Sequence, residues 1–170
     1  MSRKKYRVKT PMRLGDVPRG SIFLTGYHSA YIKCIGGIVA AHGLVDPTYY
    51  FRPYIVRPNG AYLNSDTEVC VIGYCNSVTK GMLQDKVPVP KLEDFKSFDV
   101  AQIEGGPIVM WLGTGLGTDD MSVDLLKWDL VPNSSYRDRK WYRVGNMVPK
   151  VQECKHVRTV DRSVICSGLS

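Results

Sequence analysis

Two stretches of the chain mix cations with aromatic rings closely enough to act on an anionic partner. They are Tyr49-Tyr-Phe-Arg-Pro-Tyr-Ile-Val-Arg and Tyr136-Arg-Asp-Arg-Lys-Trp-Tyr-Arg. Arg52, Arg57, Arg137, Arg139, Lys140 and Arg143 can neutralise phosphates, while Tyr50, Tyr54, Trp141 and Tyr142 stack on unpaired bases, as small β-barrels do on single strands. The same residues can form a patch for a protein partner, where aromatics and arginines carry most of the binding energy. Amphipathic strands, rings inward and charges outward, also satisfy the spacing, because period-two alternation serves both uses. Ser2-Arg-Lys-Lys-Tyr-Arg-Val-Lys adds a basic arm.

Catalytic patterns are thin. His28, His42 and His156 stand in separate neighbourhoods, and neither Gly-x-Ser-x-Gly nor His-Glu-x-x-His occurs. His28 or His42 could join Ser29, Cys34 or Asp46 only if the fold brought them together. Gly113-Thr-Gly-Leu-Gly-Thr-Asp-Asp has the wrong glycine spacing for a dinucleotide loop and no P-loop lysine. Asp119 and Asp120 would also repel a phosphate there, so the segment reads as a turn. Together with Asp124 these acids could hold a divalent cation, or simply favour a helix start. No nucleophile, base and orienting group are assembled, so the expectation is a protein that is not an enzyme, with no cofactor and no metal.

The cysteines Cys34, Cys70, Cys75, Cys154 and Cys166 are odd in number and lack Cys-x-x-Cys spacing. Reduced core thiols in a cytosolic compartment are the expectation. The N-terminus has no apolar core behind its basic residues and does not read as a secretory signal, and no run is long enough for a membrane span.

Charge falls in blocks. Residues 1–63 hold ten Lys/Arg against two Asp/Glu, residues 64–130 five against eleven, and residues 131–170 eight against three, for a net +7. Both ends are basic and the middle is acidic. This layout suits an anionic partner, or a surface whose blocks partly neutralise one another.

Something must position these groups, and at 170 residues that is one domain or two small ones. Strands are predicted at Ser21–Thr25, Ala30–Ile35, Tyr54–Arg57, Glu68–Tyr74 and Pro107–Leu112, all short and rich in β-branched or aromatic residues. Asn59-Gly60 marks a hairpin turn. The one helix expected runs over Thr118–Trp128, where Met121, Leu125 and Trp128 share a face and Asp119 or Asp120 caps the start. Lys86-Val-Pro-Val-Pro-Lys-Leu-Glu-Asp reads as an extended connector. A weak repeat relates Asp16-Val-Pro, Ala30-Tyr-Ile-Lys and Asp66-Thr-Glu-Val to Asp129-Leu-Val-Pro, Lys140-Trp-Tyr-Arg and Asp161-Arg-Ser-Val. The expected organisation is an N-terminal β-module over 1–80 with a basic arm, a Pro-containing connector over 81–96, and a C-terminal β-module over 97–170.

Gly15-Asp-Val-Pro-Arg-Gly-Ser-Ile-Phe, Tyr31-Ile-Lys and Asp66-Thr-Glu-Val resemble a small β-module of uncharacterised tailed-bacteriophage proteins. In that module a D-L-x-x-G-x-x-F turn and strand leads to Y-x-K and D-T-x-V strands. The likeness spans about residues 14–73 and, more loosely, 129–168; the segment Ile38–Pro53 is an insertion a minimal module does not need. It implies a phage source and a small SH3-like or barrel-like β-fold, and it implies no activity; with the repeat and the helical spacing above, the expected fold is mainly β, two small SH3-like or barrel-like modules with one short helix. The expected function is therefore a phage accessory protein in the host cytoplasm that blocks or modulates a host protein, such as a defence or transcription component. The alternatives are a nucleic-acid-binding small β-barrel and a virion structural component. No membrane partner is expected, and the oligomeric state stays open.

Overall fold

Apolar runs rich in β-branched and aromatic residues have little choice but to pair as strands. The structure, a computed structural model, describes residues 11–25, 30–45, 53, 55–56, 63–113 and 121–151. Within them the chain is mainly β. The first strands are β1 (Met12–Arg13), β2 (Ser21–Leu24), β3 (Ala30–Cys34), β4 (Gly37–Ala40), β5 (Ile55–Val56) and β6 (Glu68–Cys75). They are followed by β7 (Val87–Pro88), β8 (Asp99–Ile103), β9 (Ile108–Gly113), β10 (Met121–Asp124), β11 (Asp129–Pro132), β12 (Trp141–Asn146) and β13 (Pro149–Val151). Two short helices, α1 (His42–Val45) and α2 (Lys80–Gln84), complete the regular structure with three 3-10 turns.

All strand pairs of the two sheets are antiparallel. The first sheet runs β1-β6-β2-β3-β4-β5, with β13 also paired to β6; the second runs β11-β10-β9-β8-β12-β7. Among the described residues neither path closes on itself. Each sheet is apolar on both faces. Ile22, Ile32, Cys34 and Val39 of the first sheet and Val100, Met110, Leu112 and Val123 of the second make one central core. Leu14, Val17, Phe23, Tyr31, Ile38 and Val69 fill the outer face of the first sheet, and Val89, Phe95, Ile103, Trp111 and Trp141 that of the second. Burial on both faces explains why the strands read as continuous apolar runs rather than alternating ones.

The first sheet takes β1–β6 and β13, and the second takes β7–β12. β13 returns to the first sheet, the central core belongs to both, and the Ile35 N–H donates to the Trp128 carbonyl at 2.7 Å across the seam. Gly20, at φ +80°, lies so close to the Trp128 indole that an added Cβ would stand 2.7 Å from the ring, so only glycine fits. The halves therefore do not bury their apolar residues independently.

Two expectations need correcting. The helix over Thr118–Trp128 is not formed: Met121–Asp124 is β10 and Asp129–Pro132 is β11, and 118–120 lie outside the described residues. Met121, Leu125 and Trp128 do all pack on the central core, but through a strand and a turn, so their spacing imitates helical periodicity. The Asp124 carboxylate accepts from the N–H groups of Leu126 and Lys127, at 2.8 and 3.2 Å. Such a side-chain bond supports a turn, and Trp128 closes it at φ 57°. Nor is 81–96 an extended connector: it holds the last turn of α2, the edge strand β7, and Val89 and Phe95, which are buried on the second sheet. Within the insertion Ile38–Pro53, Ile38–Ala40 is buried sheet and α1 follows it.

Candidate functional site

The structure separates the candidate residues sharply. Tyr50, Arg52, Tyr54 and Arg57 lie outside the described residues, as do the N-terminal basic arm, His28, His156, Asp119 and Asp120. In the second stretch, Trp141 opens β12 and is 2% exposed. Its indole N–H donates to the Tyr136 carbonyl at 3.0 Å. Its ring stands edge-on to Trp111 at 5.9 Å and against Phe95 at the same distance, while Phe95 stacks on Trp111 at 5.3 Å. Trp141 therefore cannot stack on a base; it is a core residue.

Arg143 shares that face of β12. Its Nε donates to the Asp99 carboxylate at 3.1 Å, one Nη donates to the Asp94 carbonyl at 2.6 Å, and the guanidinium lies over the Phe95 ring. Asp99 is 3% exposed and also accepts from the Lys96 N–H. These partners engage the charge at the protein surface, where the Arg143 side chain is 37% exposed. Arg139 donates to the carbonyls of Glu104 and Gly105 and lies over Tyr136, tying the 136–140 turn to the β8–β9 hairpin. Tyr142 is half-buried, with the Lys86 ammonium 4.7 Å above its ring. Arg137 and Lys140 are exposed. Arg139 is exposed as well, but its guanidinium is taken up by the two carbonyls, and Trp141, the largest ring of the stretch, is buried.

The polar groups with catalytic potential are similarly engaged. Asp124 holds the β10–β11 turn. Ser122 donates to the Asn133 side-chain carbonyl at 2.6 Å, both residues being buried. The Ala30 N–H donates to His42 Nδ1 at 3.3 Å, and burial holds that imidazole below its ordinary pKa of 6.5. Cys34, Cys70 and Cys75 are buried and carry no disulfide; burial pushes the Cys34 thiol up and the Cys75 thiol up to about 12, so neither is a nucleophile near neutrality. Gly113 ends β9 at φ +106°, and the glycine loop beyond it lies outside the described residues. Among the described residues no group of three or more His, Cys, Asp and Glu side chains is placed to hold a metal ion, and no helix is long and apolar enough to cross a membrane.

A different mixed surface is displayed on the outer face of the first sheet. A bulge in β6 between the partners of Ile22 and Phe23 flips the alternation, so Tyr74 points outward while Cys75 enters the core. Tyr74 is 55% exposed. Lys150 of β13 lies directly opposite it, and Ser21 of β2 opposite on the other side. The Asn76 N–H donates to the Val148 carbonyl, which sets Val148, 54% exposed, diagonal to Tyr74 on the same face. Gly73 makes this possible, since an added Cβ would collide with the Lys150 carbonyl. Lys33, one strand beyond Ser21, turns outward and donates to the Leu14 carbonyl at 2.8 Å; burial and then Arg19 lower its pKa. Arg19 is exposed and precedes Gly20, whose N–H donates to the Lys33 carbonyl.

Sequence reading missed this surface because its members, Arg19, Lys33, Tyr74, Val148 and Lys150, are scattered along the chain. The only local sign is Gly73-Tyr74 at the end of an apolar run, where a glycine in a strand marks a bulge. Compared with protein families, curated proteins and solved structures, the chain matches none.

Proposed function

We propose that the protein is a non-catalytic binding protein whose target is another protein. The observation that carries this reading is the adjacent exposure of Tyr74 and Val148 on a sheet face whose other apolar residues are buried or half-buried. An outward ring beside an outward valine contributes nothing to a core, and aromatic residues at exposed sheet positions are favoured contact points. Asp99, Asp124, Ser122 and His42 support the same reading, because their hydrogen bonds are spent on turns and strand ends.

The resemblance of Gly15–Phe23, Tyr31–Lys33 and Asp66–Val69 to a module of tailed-phage proteins supports the setting. In it the chain acts in the host cytoplasm as an accessory protein that blocks or modulates a host component. Affinity capture from host lysate with wild-type chain and Tyr74→Ser tests the proposal. It predicts a captured protein that Tyr74→Ser recovers in much lower yield; equal recovery by both would refute the assignment to this face.

A further inference from the structure

The charges around Tyr74 say what kind of protein segment fits there. Lys150 stands on one side of the ring, and Lys33 and Arg19 lie on the other, so cations bracket the aromatic across β13, β6, β2 and β3, a span of about 14 Å at ordinary strand spacing. Among the described residues neither Lys150 nor Arg19 is held in an ion pair. Asp16 is the acid nearest to Lys33 in effect, and it is shared with Arg13 at 3.8 Å. The positive charges therefore outnumber the negative ones, and the proximity of Arg19 to Lys33 is a like-charge cost that an arriving carboxylate relieves.

We infer that this face docks an acidic segment of the protein partner, which lays an apolar side chain between Tyr74 and Val148 and turns carboxylates toward Lys150 and Arg19. This rests on the reading of the chain as a protein binder. A polypeptide fits better than a nucleic acid for two reasons. Val148 offers aliphatic surface, which matches a side chain rather than a base or phosphate. The Lys33 ammonium already donates to the Leu14 carbonyl, which leaves two outward cations, fewer than a phosphate backbone needs for tight binding at physiological salt.

The test uses a short fluorescein-labelled peptide of Asp, Glu and Leu, its Asn/Gln counterpart and a labelled oligo-dT. Each is titrated into the full chain and into Tyr74→Ser, Lys150→Glu and the control Lys140→Glu. The acidic peptide should bind more tightly than its amide counterpart, with affinity falling as salt rises. Tyr74→Ser and Lys150→Glu should each weaken it roughly three- to tenfold, while Lys140→Glu leaves it unchanged. Equal binding of the amide peptide, or insensitivity to the two variants, overturns the proposal. Tighter binding of oligo-dT through the same residues gives the face to nucleic acid instead. A lysate arm separates the two levels. A protein captured equally by wild type and by the Tyr74→Ser, Lys150→Glu double variant removes this face but leaves protein binding standing; capture of nothing by wild type removes both.

Discussion

Two regions of this molecule mix aromatic and basic residues, and they do opposite work. The stretch 136–143 is contiguous and conspicuous in the sequence, yet its tryptophan is core and two of its arginines are tied to backbone and carboxylate partners. The Tyr74, Val148 and Lys150 surface comes from distant parts of the chain, yet its side chains are exposed. The difference lies in what each residue faces. β12 is covered by Phe95 on the side that Trp141 and Arg143 occupy, whereas the bulge in β6 turns Tyr74 out beyond the Leu14–Tyr31 cluster. Both places mix aromatic and basic residues; packing decides which of them faces water.

If that contrast is right, mutations should separate the regions by the size of their effect on folding. Trp141→Ala removes a ring in contact with two others and should cost about 3–5 kcal/mol in urea-induced unfolding. A cost below about 1 kcal/mol would mean that the stretch is surface after all. Next comes Arg143→Leu, which removes the guanidinium donor from the buried Asp99 carboxylate and leaves it the Lys96 N–H; it should cost roughly 1–3 kcal/mol. Smaller still is a pH effect in the first sheet. His42 has its pKa lowered by burial, so the unfolded chain binds the proton more readily, and stability is fully present above pH 6.5 and declines as pH falls below it. Unfolding midpoints followed downward from neutral pH should fall less steeply in His42→Gln. Last is Tyr74→Ser, expected to change stability by no more than about 0.5 kcal/mol; a large loss would make Tyr74 structural and erase the contrast.

Much of the fold was legible. β2, β3, β6 and β9 lie within a residue of where β-branched runs bounded by glycine and proline put them, because local propensity and tertiary burial agree there. β10 was misread because Met121, Leu125 and Trp128 reach one core by way of a turn, and side-chain spacing alone cannot distinguish that from a helix. The short edge strands β1, β7 and β13 carry too few residues to show any period. The candidate surface was not legible: Lys150 meets Tyr74 only because β13 returns to the first sheet, a pairing across 76 positions of chain that no local pattern encodes.

The most direct test of where binding resides is hydrogen–deuterium exchange on the full chain with and without the acidic peptide. The account predicts slowed exchange at 73–76 and 148–151, with 136–143 unchanged. Protection confined to 136–143, with none around Tyr74, would contradict it.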